Sequence, residues 1–167
     1  MLTRKLFTFG TLYPDEMIKA LLGEIPENFY GTLKGFSVYR GNWTQLPENI
    51  RKTFEEMNVD QSTFSYAFAK KDYRAEKVIK GRIYSISLDQ ELVLDHWERY
   101  PDWYRKLDVV VKDELGNEHD AFIYTLDIKG ELMEKVERVL NTPEKALANA
   151  KKLNQRVADK FPSVFNK

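Results

Sequence analysis

The stretch Leu6-Phe7-Thr8-Phe9-Gly10-Thr11-Leu12 is a short β-prone run closed by a glycine. Just after it, Met17, Ile18, Leu21 and Leu22 recur at helical spacing until Gly23. The chain therefore opens as a strand, a glycine turn and a helix. Further on, Phe29 to Tyr39 is β-rich but interrupted at Gly31 and Gly35, where a strand is expected to bend or bulge. Residues 40–60 are polar, with a short helix predicted over Pro47 to Met57. Phe64, Tyr66 and Phe68 alternate with small or polar residues, and Ile79, Ile83 and Ile86 mark another β-prone run.

Ser87 and Gln90 have the Ser-x-x-Gln form of a capping box, which predicts a helix through Leu94 and Trp97 that Pro101 helps to end. Val109 to Val111 and Ala121 to Leu126 read as strands joined by the turn-rich Asp113-Glu114-Leu115-Gly116-Asn117. A last helix is predicted with Thr142 as cap, Pro143 in its first turn and an apolar stripe of Ala146, Ala150, Leu153 and Val157. Lys151, Lys152 and Arg156 on that helix read as a solvated face. This order mixes α and β without strict βαβ alternation.

The 167 residues suit one domain, and no linker or repeat divides them. Hydrophobic residues make up 43% and charged residues 31%, which is the range of an ordinary globular chain. Twenty-six Lys plus Arg balance twenty-six Asp plus Glu, so no net field recruits nucleic acid or an anionic membrane. No segment approaches the ~18 apolar residues of a membrane span, and Asp15 and Glu16 interrupt the N-terminal region before a secretory signal could form. The expected location is the cytoplasm. Asn42-Trp43-Thr44 fits the N-glycosylation pattern, which without export is read as a chance match.

Cysteine is absent, which excludes disulfides, thiolate nucleophiles and thiolate metal sites. His96 and His119 are the only histidines and form no metal-ligand spacing, so no metal is expected. Walker, Gly-x-Gly-x-x-Gly and Gly-x-Ser-x-Gly patterns are also missing. Catalysis must then use oxygen or nitrogen groups of other kinds. Two features remain. The glycine in Phe9-Gly10-Thr11-Leu12 can be a turn residue only, or can free backbone N–H groups to bind a carboxylate or an oxyanion. Glu98 follows Leu94 by four residues, on nearly the same side of its helix and near the negative end of the dipole; both factors disfavour its charge and move it toward general-base use. Alternatively, Glu98 is an exposed helix-end residue paired with Arg99 or Arg105.

Taken together, these stretches resemble the γ-glutamylcyclotransferase-like family, which includes AIG2-like proteins and γ-glutamylamine cyclotransferases. Leu6 to Leu12 is similar to its opening Tyr-Gly-Thr-Leu strand and loop, with Phe9 in place of Tyr. Leu94-Asp95-His96-Trp97-Glu98 resembles its Leu-Asp-x-x-Glu helix end, and Pro101 and Tyr104 fall where Glu-x-x-Pro-x-x-Tyr puts them. Gly81-Arg82-Ile83-Tyr84 looks like its Gly-x-x-Tyr strand. The departures are Tyr13 and Asp15, which replace frequent basic and Gly residues, and Lys106, which replaces a common Arg.

The resemblance implies an α+β fold: a small mixed β-barrel flanked by helices. Residues 5–127 would form the core and 128–167 a helical extension of the same single domain. It implies that Glu98 is the general acid/base and that Phe9, Gly10, Thr11, Leu12 and Tyr104 bind a small γ-glutamyl amine or peptide. The group would cyclise to 5-oxoproline and release the amine, with no cofactor. The alternative is a non-catalytic binding module using the same pocket. Residues 41–80, longer than compact members need, would form a lid or a specificity wall. Nothing in the pattern selects an oligomeric state.

Overall fold

The computed structural model describes residues 2–62, 64–74, 76–133, 144–158 and 160. Its elements are β1 (Thr3–Thr8), α1 (Asp15–Leu22), β2 (Asn28–Lys34), β3 (Phe36–Asn42), a 3-10 turn (Trp43–Gln45), α2 (Glu48–Glu56) and β4 (Ser65–Lys71). There follow β5 (Val78–Ser87), α3 (Leu88–Trp97), β6 (Arg105–Asp113), β7 (Glu118–Thr125), the short β8 (Glu131–Leu132) and α4 (Glu144–Ala158).

Strands β1-β5-β2-β6-β7 lie in that order, and a parallel bridge between Leu6 and Phe122 joins β7 back to β1. The result is a closed five-stranded mixed barrel. Beyond β7 the sheet continues through β4, β3 and β8 as a three-stranded flap. Closure buries the inner face of the strands, the helices cover part of the outer face, and alternation sorts the side chains between the two. Phe7, Leu33, Ile83, Val111 and Ile123 fill one apolar cluster. Leu6, Tyr84, Ile86, Phe122 and Tyr124 belong to the other, with residues of α1, α3 and α4.

The β-rich run from Phe29 to Tyr39 becomes two strands that do not pair with each other. β2 belongs to the barrel and β3 to the flap. The break is at Gly35, whose φ of 79° is the left-handed conformation that glycine adopts without strain. Gly31 stays within β2 for another reason: a Cβ there would stand 2.6 Å from Ile83 Cδ1 and 2.7 Å from the Lys112 carbonyl oxygen.

Elsewhere the local signals and the elements agree. Gly23 ends α1 in the left-handed conformation. Ser87 Oγ accepts from the Gln90 N–H at 3.2 Å while the Gln90 side chain accepts from the Ser87 N–H at 2.9 Å, so the capping box starts α3. Asp113 accepts from the N–H groups of Leu115 and Asn117 to close the β6–β7 hairpin. Ala150 and Val157 of α4 are buried in the cluster that includes α1, and Asn154 Nδ2 donates to the Leu21 carbonyl at 3.2 Å. Lys151, Lys152 and Arg156 are exposed. Thr142 and Pro143 lie outside the described residues. No helix among the described residues is long and apolar enough to cross a membrane.

Candidate active site

Strand directions bring the Gly10 turn and Glu98 to one end of the barrel. β1 and β7 run parallel with Leu6 beside Phe122, so the chain leaving β1 after Thr8 emerges where Tyr124 and Leu126 lie. Arg105 pairs with Thr125, which puts Tyr104, just before β6, at that end too. At the opposite end Thr3 pairs with Ser87, where α3 begins. Ten residues of helix rise ~15 Å, close to the ~17 Å that six strand residues span. Asp95 near the end of α3 accepts from Tyr124 and Lys106, and Glu98 acts on Tyr104 and Tyr124, so α3 runs back toward the end where β1 stops.

The turn is tied down from several sides. The Tyr13 N–H donates to the Gly10 carbonyl at 2.9 Å. Tyr84 of the Gly-x-x-Tyr strand donates to the Tyr13 carbonyl at 3.3 Å, and Arg82 binds Asp15. Gly81 permits the close passage of β1, since a Cβ there would meet the Thr8 carbonyl and lie 2.5 Å from the Phe7 ring. The side chains of the turn diverge: Phe9 packs against the cluster of Phe7 and Ile83, and Leu12 against that of Leu94, Tyr104 and Tyr124. Among the described residues the backbone N–H groups of Thr11 and Leu12 donate to no protein acceptor. Gly10 has neither a positive φ nor any atom within 4 Å of the place a Cβ would take, so the protein's own packing does not require glycine there.

Glu98 is the C-cap of α3, and its N–H donates to the Leu94 carbonyl at 2.9 Å. The residue keeps a part of its surface accessible. Its carboxyl is nonetheless desolvated by surrounding protein, which raises its pKa to about 8. Among the described residues no ion pair reaches it, from Arg99, Arg105 or elsewhere. Two phenols stand in its field. Tyr104 is raised well above its ordinary pKa by burial first and then by Glu98, and Tyr124 is raised by burial first, then by Asp95 and Glu98. Tyr104 donates to the Ala67 carbonyl at 2.9 Å, and Tyr124 to Asp95 Oδ1 at 2.7 Å.

Several residues around the site carry no local signal in the sequence. Asp95 lies three residues before Glu98 on α3, and the two carboxylates have opposite surroundings. Lys106 Nζ sits 2.7 Å from Asp95 and 2.5 Å from Glu91. Burial disfavours the Lys106 charge, but its hydrogen bonds to Asp95 and Glu91 outweigh that and raise its pKa. The Lys106 ammonium thus bridges two acids beneath α3, and Arg4, 2.7 Å from Glu91, supplies the second positive charge. On the other side, residues 43–66 pack an aromatic wall onto the turn after Glu98. Phe54 lies 5.7 Å from Trp103, Tyr66 lies 5.0 Å from it, and Arg99 stacks over Phe54 at 5.7 Å. No group of three or more His, Asp or Glu side chains that could hold a metal ion occurs among the described residues.

The fold has counterparts among solved structures. A gamma-glutamyl cyclotransferase superposes with a TM-score of 0.63 at 13% identity, covering 98% of this chain and 86% of its own. An uncharacterised protein from Homo sapiens gives 0.62 at 13% identity, with 97% and 86% covered. An AIG2-like protein from Mus musculus gives 0.50 at 18% identity, with 75% and 78% covered. At such identities the likeness is one of fold, and the fold is that of the cyclotransferase-like barrels. Residues 6–144 match the family described as gamma-glutamyl cyclotransferase, AIG2-like, and the chain belongs to that family. No curated protein matches it in sequence. Family and fold together support a gamma-glutamyl-cyclotransferase-like function.

Proposed function

We propose that this protein cyclises the γ-glutamyl group of a small amine or peptide to 5-oxoproline and releases the amine, with Glu98 as the general acid/base. The observation that carries this reading is an unpaired carboxyl, desolvated to a pKa of about 8, at the same barrel end as the unengaged N–H groups of Thr11 and Leu12.

The substrate supplies its own nucleophile. Its α-amine attacks its γ-carbonyl to close a five-membered ring, so proximity within one molecule lowers the barrier by several kcal/mol, up to the ~7–11 of well-oriented intramolecular reactions. Proton traffic and charge stabilisation are left to the protein. The incoming α-ammonium favours the carboxylate form of Glu98, which then takes a proton from it. As the C–N bond of the ring forms, negative charge develops on the carbonyl oxygen, where the Thr11 and Leu12 N–H groups stabilise it. Glu98 returns that proton to the departing nitrogen as its C–N bond breaks, and the carboxylate then carries a second proton from the ring nitrogen to the released amine. Of the three ammonium hydrogens, one stays on the ring nitrogen and two end on the released amine. Gly10 leaves room for the substrate backbone to approach, and Phe9, Leu12 and Tyr104 shape the pocket margin. The chemistry calls for no cofactor.

The test is incubation with a panel of γ-glutamyl amines and dipeptides, with 5-oxoproline read by mass spectrometry, beside Glu98→Gln. Wild type should form 5-oxoproline, and the variant should lose at least about a hundredfold in rate. Binding of a panel member without turnover would instead identify a binding module. Equal rates in the two proteins would remove Glu98 from the mechanism.

A further inference from the structure

At the other end of the barrel, Lys5 of β1 completes a hydrogen-bonded line with His119 and Asp113 of the β6–β7 hairpin. Lys5 Nζ lies 2.8 Å from His119 Nδ1, and His119 Nε2 lies 2.9 Å from Asp113 Oδ2. The partners determine the tautomer. Asp113 only accepts and the Lys5 ammonium only donates, so Nε2 carries the hydrogen and Nδ1 turns its lone pair to Lys5. Asp113 is held as a carboxylate: hydrogen bonds from His119 first, then Asn117, keep it well below its ordinary range despite some desolvation. The Phe29 ring lies 4.9 Å from the imidazole and braces it. Lys5 and His119 line an open cleft of about 820 Å³, together with Thr3, Arg4 and Glu118.

This is the orienting acid, base and nucleophile order of a catalytic triad, with an amine in place of a hydroxyl. The other lysine side chains with ion-pair partners among the described residues, Lys52, Lys70, Lys106 and Lys112, rest on carboxylates. A carboxylate partner stabilises the ammonium and suppresses nucleophilicity. A neutral imidazole backed by a carboxylate sets no negative charge against the lysine and offers a positioned acceptor for its proton beside an open cleft.

We propose that Lys5 is a nucleophilic lysine at which the protein is acylated by small acyl thioesters, with His119 as the base and Asp113 as its positioning residue. A thioester suits a site that offers a base, because a thiolate leaves without prior protonation. His119 takes one proton from the Lys5 ammonium, and the free amine attacks the thioester carbonyl carbon. The new C–N bond forms and the C–S bond breaks, the sulfur leaving with the electron pair. The second nitrogen proton ends on the released thiolate, and His119 passes the first to water. The products are an amide at Lys5, a thiol and one proton.

The experiment incubates the full chain with acetyl coenzyme A and follows acetylation of every lysine by peptide mass spectrometry. Lys5 should react at least about tenfold faster than the exposed Lys151 and Lys152. In His119→Gln the Lys5 rate should fall to that background while Lys151 and Lys152 stay unchanged, and Asp113→Asn should give an intermediate rate. A wild-type Lys5 rate no higher than those of Lys151 and Lys152 overturns the proposal without recourse to any variant. An unchanged Lys5 rate in a folded His119→Gln protein overturns the role of the imidazole.

Discussion

The hydroxyl of Tyr104 donates to the Ala67 carbonyl at 2.9 Å, which joins the turn after α3 to the flap strand β4. This bond links the helix-end carboxylate to the part of the fold built from residues 36–71. Tyr104→Phe removes the hydroxyl and keeps the ring. It should lower stability by about 1 kcal/mol, read by urea denaturation with an unchanged m-value.

Glu98 makes stability depend on pH. Its folded pKa of about 8 lies above the ordinary 4.5, so between those values the folded state binds more protons than the unfolded chain. Its contribution is therefore complete below about pH 4.5, declines as pH rises, and is lost above about pH 8. Glu98→Gln stays neutral throughout. The variant should gain on wild type across that window, ending more stable at pH 9 by on the order of a few kcal/mol, as thermal melts at successive pH values would record. A constant difference between the two proteins would mean that the carboxyl is not desolvated.

Under the proposed mechanism the same ionisation governs rate. The free protein must present Glu98 as carboxylate to accept the ammonium proton, so kcat/KM should rise with pH and level off above about 8. A profile flat from pH 6 to 9 would count against Glu98 as the base.

Two glycine substitutions should separate folding from function. Gly31→Ala forces a methyl against Ile83 and the Lys112 carbonyl and should destabilise the barrel by about 1–3 kcal/mol. Gly10→Ala meets nothing within 4 Å in the protein and should leave stability within about 1 kcal/mol of wild type. If substrate lies against the turn, its kcat/KM should nevertheless fall at least about tenfold.

Lys106→Met leaves Glu91 and Asp95 without their shared counter-ion beneath α3, and only Arg4, 2.7 Å from Glu91, remains. The loss should reach about 3–5 kcal/mol, because removing one partner strands a buried charge. Lys106→Arg should retain part of it. Denaturant titrations of the two variants give the comparison.

Short-range patterns in the chain specify most of its elements, though not the 3-10 turn at Trp43–Gln45 or the short β8. The capping box at Ser87 and Gln90, the left-handed Gly23 and the Asp113 hairpin each depend on groups within a few residues of one another, which is why they read directly from the sequence. Phe29 to Tyr39 divides into β2 and β3, which the pattern does not show because alternation cannot tell a bent strand from two strands with different partners. Glu98 could be placed on the apolar side of its helix by spacing from Leu94, but spacing does not say what covers that side. Closure of β1 onto β7, the aromatic wall of residues 43–66 and the resulting desolvation are decided by residues far apart in the chain. The same holds for Lys5 beside His119: the Asp113–His119 bond lies within one hairpin, but Lys5 joins it only because β1 closes onto β7. A pKa or a proton relay depends on distances across space, and only the tertiary structure sets those.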